Sequence, residues 1–394
     1  MHKYIFILGS NPGLSLAEIL SIFDIQEYTL FEEVLLVESD EELDLKRAID
    51  KLGGTIKIAE YKEELEYKDI KEELADSIYK ESLHRNKGKF NFALSLYGKV
   101  NVNYKDLAIG VKNILRNKAI SSRWVKAQGK EKSLSSASVY HNKLLDKNGV
   151  ELLLISADKK VILAKTIAVQ SFIDYSKRDY GRPKRDSLSG MIPPKLAKMM
   201  LNLSGIKSED KLLDPFCGSG TIVNEALFLG LKNIYGFDIS KKAVEDTNNN
   251  LKWLEKEFFQ DISKVELKEL DVRKVSKELS PSSIDAVCTE PYLGPQRGKI
   301  EAQAVKNELD KLYSEALKEL HKVLKPKAKV VMIWPMFFPE KNPLYLDPDI
   351  KGYKKISYKH LADLNLLNKR YNLFYGRPEQ RLWREVIVLE KEGK

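Results

Sequence analysis

The chain has 394 residues, 43% of them hydrophobic and 31% charged, a soluble-type composition at a length that exceeds one ordinary core. No apolar run approaches a membrane span, and Gly9, Asn11, Pro12 and Gly13 break up the short apolar start, so neither a transmembrane helix nor a signal peptide is expected. The two cysteines, Cys217 and Cys288, lack CxxC spacing; this argues against a disulfide framework or a zinc site and fits a reducing cytoplasm.

From the start, "YIFILG", "EYTLF", "EVLLVES" and "TIKIAEY" read as strands, with helical spacing in "LSLAEILSIF" and "ELDLKRAIDKLG". The order β-α-β-β-α-β suggests a ferredoxin-like module over 1–65. Residues 66–170 alternate strands such as "NFALSLYG" and "GVELLLIS" with a basic helix, and carry no Gly-rich phosphate loop or cluster of titratable groups. That stretch reads as a binding platform. Residues 171–190 are polar, basic and punctuated by Gly and Pro, as in an ordered linker or arm. From 191 to 394 a helix "PPKLAKMMLNLSG" leads into regular strand–helix alternation, which predicts a mostly parallel sheet with an antiparallel C-terminal hairpin.

The net charge is +9, and it is concentrated in 111–132 and 177–198, each with an aromatic embedded. Two basic segments of this kind point to a nucleic-acid track more than to a uniformly solvated surface. Candidate nucleic-acid contacts are Arg116, Arg123, Trp124 and Lys126 in the first segment and Arg178, Arg182, Lys184 and Arg185 in the second, with Arg297 in "GPQRGK" placed to meet a substrate phosphate.

The chemistry gathers at predicted strand ends, where open α/β sheets bind their ligands. "DPFCGSGT" (214–221) follows the first strand of the second half, and Gly218 and Gly220 permit close backbone approach. Asp238 in "GFDIS" ends the next strand, where an acid can accept from a ribose diol, and Asp271 in "LDV" ends the third. Neither GxGxxG nor GxxxxGK[ST] is present, and an acid at 214 would repel a phosphate. A cationic nucleoside, S-adenosylmethionine, fits better. The fourth strand ends in "CTEPYLGP" (288–295).

These motifs together resemble class I methyltransferases of the Rossmann-like type. "RDYGRP" and "SGMIPPKLAKMMLNLSG" ahead of them resemble the THUMP-domain RNA methyltransferases, especially the tRNA guanine-N2 enzymes acting on guanosine 10. The resemblance implies that 66–170 is an RNA-binding THUMP domain gripping tRNA and that 191–394 is the catalytic domain. It further implies a cofactor lined by Asp214, Phe216, Cys217, Gly218, Gly220 and Thr221, its ribose held at Asp238 and Ile239, and its adenine at Asp271 and Val272. It places Glu290, Pro291 and Tyr292 where the family's D-P-P-Y holds the base amine. Here the acid is Glu, Tyr292 stands at the second proline and Leu293 at the aromatic. The expected function is methyl transfer to guanosine N2 in tRNA, in the cytoplasm and as a monomer. An adenine-N6 methyltransferase on RNA or DNA, and a catalytically altered RNA-binding protein, are the alternatives.

Overall fold

The structure is a computed structural model that describes residues 1–129, 131–157, 159–185, 191–295, 301–338, 342–377, 380 and 382–393. Arg297 lies outside the described residues. Two units emerge: Met1–Ser10, Phe23–Lys51 and Thr55–Ile173 form the first, and Asn11–Ile22, Leu52–Gly54 and Asp174–Lys394 the second.

The first unit is built on eight strands: β1 (His2–Leu8), β2 (Glu27–Phe31), β3 (Val34–Ser39), β4 (Thr55–Leu65), β5 (Phe90–Tyr97), β6 (Ser122–Trp124), β7 (Gly149–Ala157) and β8 (Lys160–Val169). Between β1 and β2 the chain forms α1 (Pro12–Ile22), which belongs to the second unit; α2 (Leu45–Lys51), α3 (Ile70–Ser82), α4 (Tyr104–Asn117) and α5 (Ser136–His141) belong to the first. The sheet order is β2-β3-β1-β4-β8-β7-β5-β6. Stretches 1–65 and 66–170 therefore share one sheet, joined where β4 pairs antiparallel with β8 from Lys57↔Val169 to Leu65↔Val161.

Apolar alternation along these strands feeds a core on one face, where Ile70, Leu74 and Ile78 of α3 and Leu107, Val111 and Leu115 of α4 cover Phe90, Phe92, Leu152 and Leu154. Among the described residues of this unit, one ion pair is fully buried. The Glu151 carboxylate accepts from Lys57 Nζ at 2.6 Å, Ser95 Oγ at 2.6 Å and Thr166 Oγ1 at 2.7 Å, tying four strands together with its charge satisfied.

In the second unit, α6 (Phe172–Ser176), which straddles the boundary between the units, runs into a wide turn at Lys177–Gly181. Then α7 (Pro194–Ser204) opens on a proline and stops at Gly205, whose φ of +71° suits glycine. The alternating part follows: β9 (Lys211–Asp214), α8 (Thr221–Phe228), β10 (Asn233–Asp238), α9 (Lys241–Phe258), β11 (Val265–Glu269), α10 (Val275–Glu278), β12 (Ile284–Thr289), α11 (Ala302–Val323), β13 (Leu324–Phe337), β14 (Leu344–Tyr345), β15 (Tyr353–Lys355), β16 (Leu373–Tyr375) and β17 (Leu382–Lys391). The strand order is β11-β10-β9-β12-β13-β17-β15. Neighbours from β11 to β13 are parallel, β17 runs antiparallel to β13, and β16 with β17 forms the expected terminal hairpin. Leu309, Tyr313, Leu317 and Leu320 of α11 bury the face that carries Leu213, Val287, Val330 and Ile387. Order reverses between β9 and β12, so the carboxyl ends of β9, β10 and β12 open onto one crevice.

Two arm residues read as RNA contacts are instead internal. Arg178 is 6% exposed, because its Nε and guanidinium nitrogen donate to Glu225 of α8 at 2.6 and 3.3 Å and its plane lies against Tyr175 and Phe228. Arg182 is 3% exposed and donates to Thr221 Oγ1 at 2.7 Å. Lys184 and Arg185 remain exposed, Arg185 lying over the ring of the exposed Tyr180. Arg178→Met leaves the buried Glu225 carboxylate with only the more distant Lys198 ammonium at 3.8 Å and is expected to destabilise the second unit by about 3 kcal/mol, whereas Arg185→Ala leaves the unfolding midpoint unchanged; urea titration of both variants checks the contrast.

Candidate active site

The Gly-rich turn after β9 gives the site its shape. Gly218 has φ +53° and Gly220 φ +85°, and a Cβ at Gly220 would meet Thr247 Cγ2 at 2.7 Å, so the tight turn requires glycine there. Helix α9 braces the turn from behind: Thr247 Oγ1 donates to the Gly218 carbonyl at 2.7 Å, and Asn250 Nδ2 donates to the Ser219 carbonyl at 2.8 Å. The same Asn250 exchanges hydrogen bonds with the backbone of Lys184, accepting from its N–H and donating to its carbonyl, both at 2.9 Å.

Around this turn a cavity of about 440 Å³ opens, lined by the expected residues Asp214, Phe216, Cys217, Gly218, Thr221, Asp238, Ile239, Asp271, Val272, Glu290, Pro291 and Tyr292. Met191, Ile192 and Arg273, which the sequence reading did not single out, also line it. Gly220 sits behind the surface as the residue that lets the chain turn.

Each carboxylate in the cavity has its own partner. Asp214 is buried at the end of β9, where Thr289 Oγ1 donates to it at 2.7 Å and the Phe216 N–H at 3.3 Å. Its carboxyl is raised to about 7: burial is the main cause, the two hydrogen bonds oppose it, and the charges of Asp238 and Glu290 add to it. Asp238 accepts from the Gly218 N–H at 3.0 Å and the Ser240 N–H at 2.9 Å. Arg273 donates to both oxygens of Asp271 and, chiefly through that contact, holds its carboxyl below the usual range. Glu290 accepts from Arg384 Nε at 2.6 Å.

The fourth-strand motif is held from the other side of the sheet. Tyr313 of α11 donates to the Tyr292 carbonyl at 2.8 Å, and Leu293 is buried. The Tyr292 side chain is 56% exposed at the rim, with its ring available to a planar ligand. Leu293, aligned with the family's aromatic, serves packing. Both cysteines are buried, and no group of residues suited to a metal ion occurs among the described residues.

Thr289, Thr247, Asn250 and Arg384 went unnoticed in the sequence. Thr247 and Asn250 left a signal: polar residues on the buried stripe that Leu251 and Leu254 define along α9. Arg384 left none, since it lies 94 residues from Glu290.

Among residues read as RNA contacts in the first unit, Arg116, Arg123 and Lys126 are exposed. Trp124 is half-buried, packed against the α3–α4 core and edge-on to Tyr104 at 5.4 Å, with the Lys126 ammonium 4.9 Å from its ring centre. Its ring is largely committed to packing. No helix among the described residues is long and apolar enough to cross a membrane.

Comparison with known proteins places this geometry. Residues 65–249 match a family model described as DNA methylase, and residues 182–337 match the UPF0020 model, described as RMKL-like, methyltransferase domain. The tRNA (guanine(10)-N2)-dimethyltransferase of Methanothermobacter thermautotrophicus is 33% identical over 179 residues, 45% of this chain and 48% of that protein. The protein of the same description from Methanocaldococcus jannaschii is 31% identical over 205 residues, 50% of this chain and 52% of that one. The chain thus spans about half the length of the curated relatives it matches. The crystal structure of TrmN from Thermus thermophilus superposes with a TM-score of 0.53 at 16% identity, covering 99% of this chain and 100% of that one, a likeness of fold. The UPF0020 match takes in every segment lining the cavity, from Met191 to Leu312.

Proposed function

We propose that this protein transfers a methyl group from S-adenosylmethionine to the exocyclic N2 amine of a guanosine in tRNA, as the names of its relatives suggest. The observation that carries the reading is the gathering of Asp214, Asp238, Asp271 and Glu290 at the strand ends around one cavity.

The lining fits such a cofactor. Acidic groups dominate, which suits a cation; Ile239, 64% exposed beside Asp238, and Leu270 and Val272 offer apolar surface to a heterocycle. Arg182 bonds Thr221 at the start of α8, and its buried Nε has no partner among the described residues. That places positive charge at a helix N-terminus, where a carboxylate is welcome. When bound, S-adenosylmethionine supplies an electrophilic methyl group.

The chain's own residues prepare the acceptor. An exocyclic amine is a poor nucleophile because its lone pair is delocalised into the ring. Glu290, whose Oε1 is held by Arg384, accepts an amine hydrogen through its other oxygen and so localises that lone pair, while the exposed Tyr292 ring stacks on the extruded base. Arg116, Arg123, Lys126, Lys184 and Arg185 neutralise tRNA phosphates; residues 66–170 act as the THUMP region, and the protein works in the cytoplasm on its tRNA substrate.

Incubation with bulk tRNA and labelled cofactor, followed by nucleoside analysis, is expected to yield N2-methylated guanosine. N6-methyladenosine, or cofactor binding without product, would overturn the assignment. Glu290→Ala is expected to lower turnover by at least about a hundredfold with cofactor affinity unchanged, as read by calorimetry beside the rate assay.

Asp214 adds a pH dependence. Because its folded value lies above the ordinary aspartate range, it stabilises the ligand-free fold in acid, and that contribution is lost as pH rises through about 7. A cationic ligand prefers the ionised form. Cofactor affinity should therefore rise between pH 6 and 8 in the natural protein and stay flat in Asp214→Asn, measured by calorimetry across that range.

A further inference from the structure

Glu290 shares its carboxylate with one guanidinium. Arg384 Nε donates to Oε1 at 2.6 Å, and the two side chains are only 17% and 10% exposed. Arg384 lies on β17 opposite Pro335 of β13, so its side chain reaches across β13 to the end of β12. Among the described residues, the other ionisable groups facing Glu290 are Asp214 on β9 and the Tyr313 hydroxyl on α11, and neither brings positive charge. The Glu290 carboxyl lies above its ordinary range because burial drives it upward, and the Arg384 ion pair is what opposes that rise. Oε2 is left for a ligand in the cavity.

We infer that Arg384 is the positioning residue that makes this site select guanine: by fixing Oε1 and keeping Glu290 charged, it presents the target base with an acceptor and no donor. The inference rests on the methyl-transfer reading above. Guanine offers two adjacent donors on its Watson–Crick edge, N1–H and the N2 amine, which an ionised carboxylate accepts. A purine with an amine beside a bare N1, such as adenine or 2,6-diaminopurine, sets a lone pair against that carboxylate. A protonated carboxyl, which both donates and accepts, reverses the preference. Burial alone favours the protonated form, so the choice of base falls to Arg384.

Two measurements on Arg384→Met and Arg384→Lys test this. The first follows the ionisation of Glu290 by carbon NMR of glutamate-labelled protein, with Glu290→Gln identifying the signal; no methyl acceptor is needed. In Arg384→Met the Glu290 titration should move up by at least about one pH unit, and Arg384→Lys should restore most of the shift. The second compares methyl transfer to tRNA carrying guanosine or 2,6-diaminopurine at the methylated position. Arg384→Met should lower the guanosine-to-diaminopurine ratio of kcat/KM at least about tenfold, with cofactor affinity unchanged. An unmoved titration, or equal slowing on both bases, overturns the inference. If the natural protein methylates no guanosine while the titration moves, the methyl-transfer reading falls and the hold of Arg384 on Glu290 stands.

Discussion

Four carboxylates crowded into one partly dry cavity repel one another, and the second unit is arranged so that each is answered separately. Asp214 has the Thr289 hydroxyl, Asp238 has two backbone N–H groups of the adjoining turns, Asp271 has Arg273 and Glu290 has Arg384. Uncompensated, buried negative charge would protonate or pull the strand ends apart. Because the partners come from β12, the Gly-rich turn, the chain after β11, and β17, the site forms only once the sheet is complete. The parallel order makes this affordable in chain length, delivering strand ends to one edge through short connections.

The strength of compensation differs among the four, and so do their properties. Asp238 and Asp271 meet N–H donors or a cation near solvent. Asp214 receives neutral hydrogen bonds in a buried place, so burial prevails. Glu290 stands between, with burial and a full positive charge opposed.

Much of this was legible in the sequence. Alternating strand and helix spacing after Lys211 gave the parallel sheet, and the acids at 214, 238, 271 and 290 marked its strand ends because a polar residue closing an apolar run has few other reasons to be there. Gly218 and Gly220 announced the turn, but for a reason other than close approach to a ligand: both take a positive φ, and a Cβ at Gly220 would meet Thr247. The misreadings arose where chain composition does not determine exposure. "KRDYGRPKR" is basic, yet two of its arginines point inward: Glu225, on a helix that otherwise reads as apolar, draws Arg178 in, and the hydroxyl of Thr221 holds Arg182. Charge in a segment is local information, whereas its destination depends on partners tens of residues away. Arg384 was invisible for that reason, and Trp124, named among the candidate contacts, packs against Tyr104 and the neighbouring core.

Asn250 shows how narrow such arrangements leave the choice of residue. Its amide oxygen accepts from the Lys184 N–H, while its amide nitrogen serves the carbonyls of Lys184 and Ser219. Aspartate has the same shape but would face two carbonyl oxygens with no hydrogen to offer, and glutamine would overshoot both. The segment before α7 and the turn that shapes the cavity are thus pinned by one side chain whose two amide hydrogens are both committed, so random substitution at this position has almost nowhere to go, although it does not line the cavity.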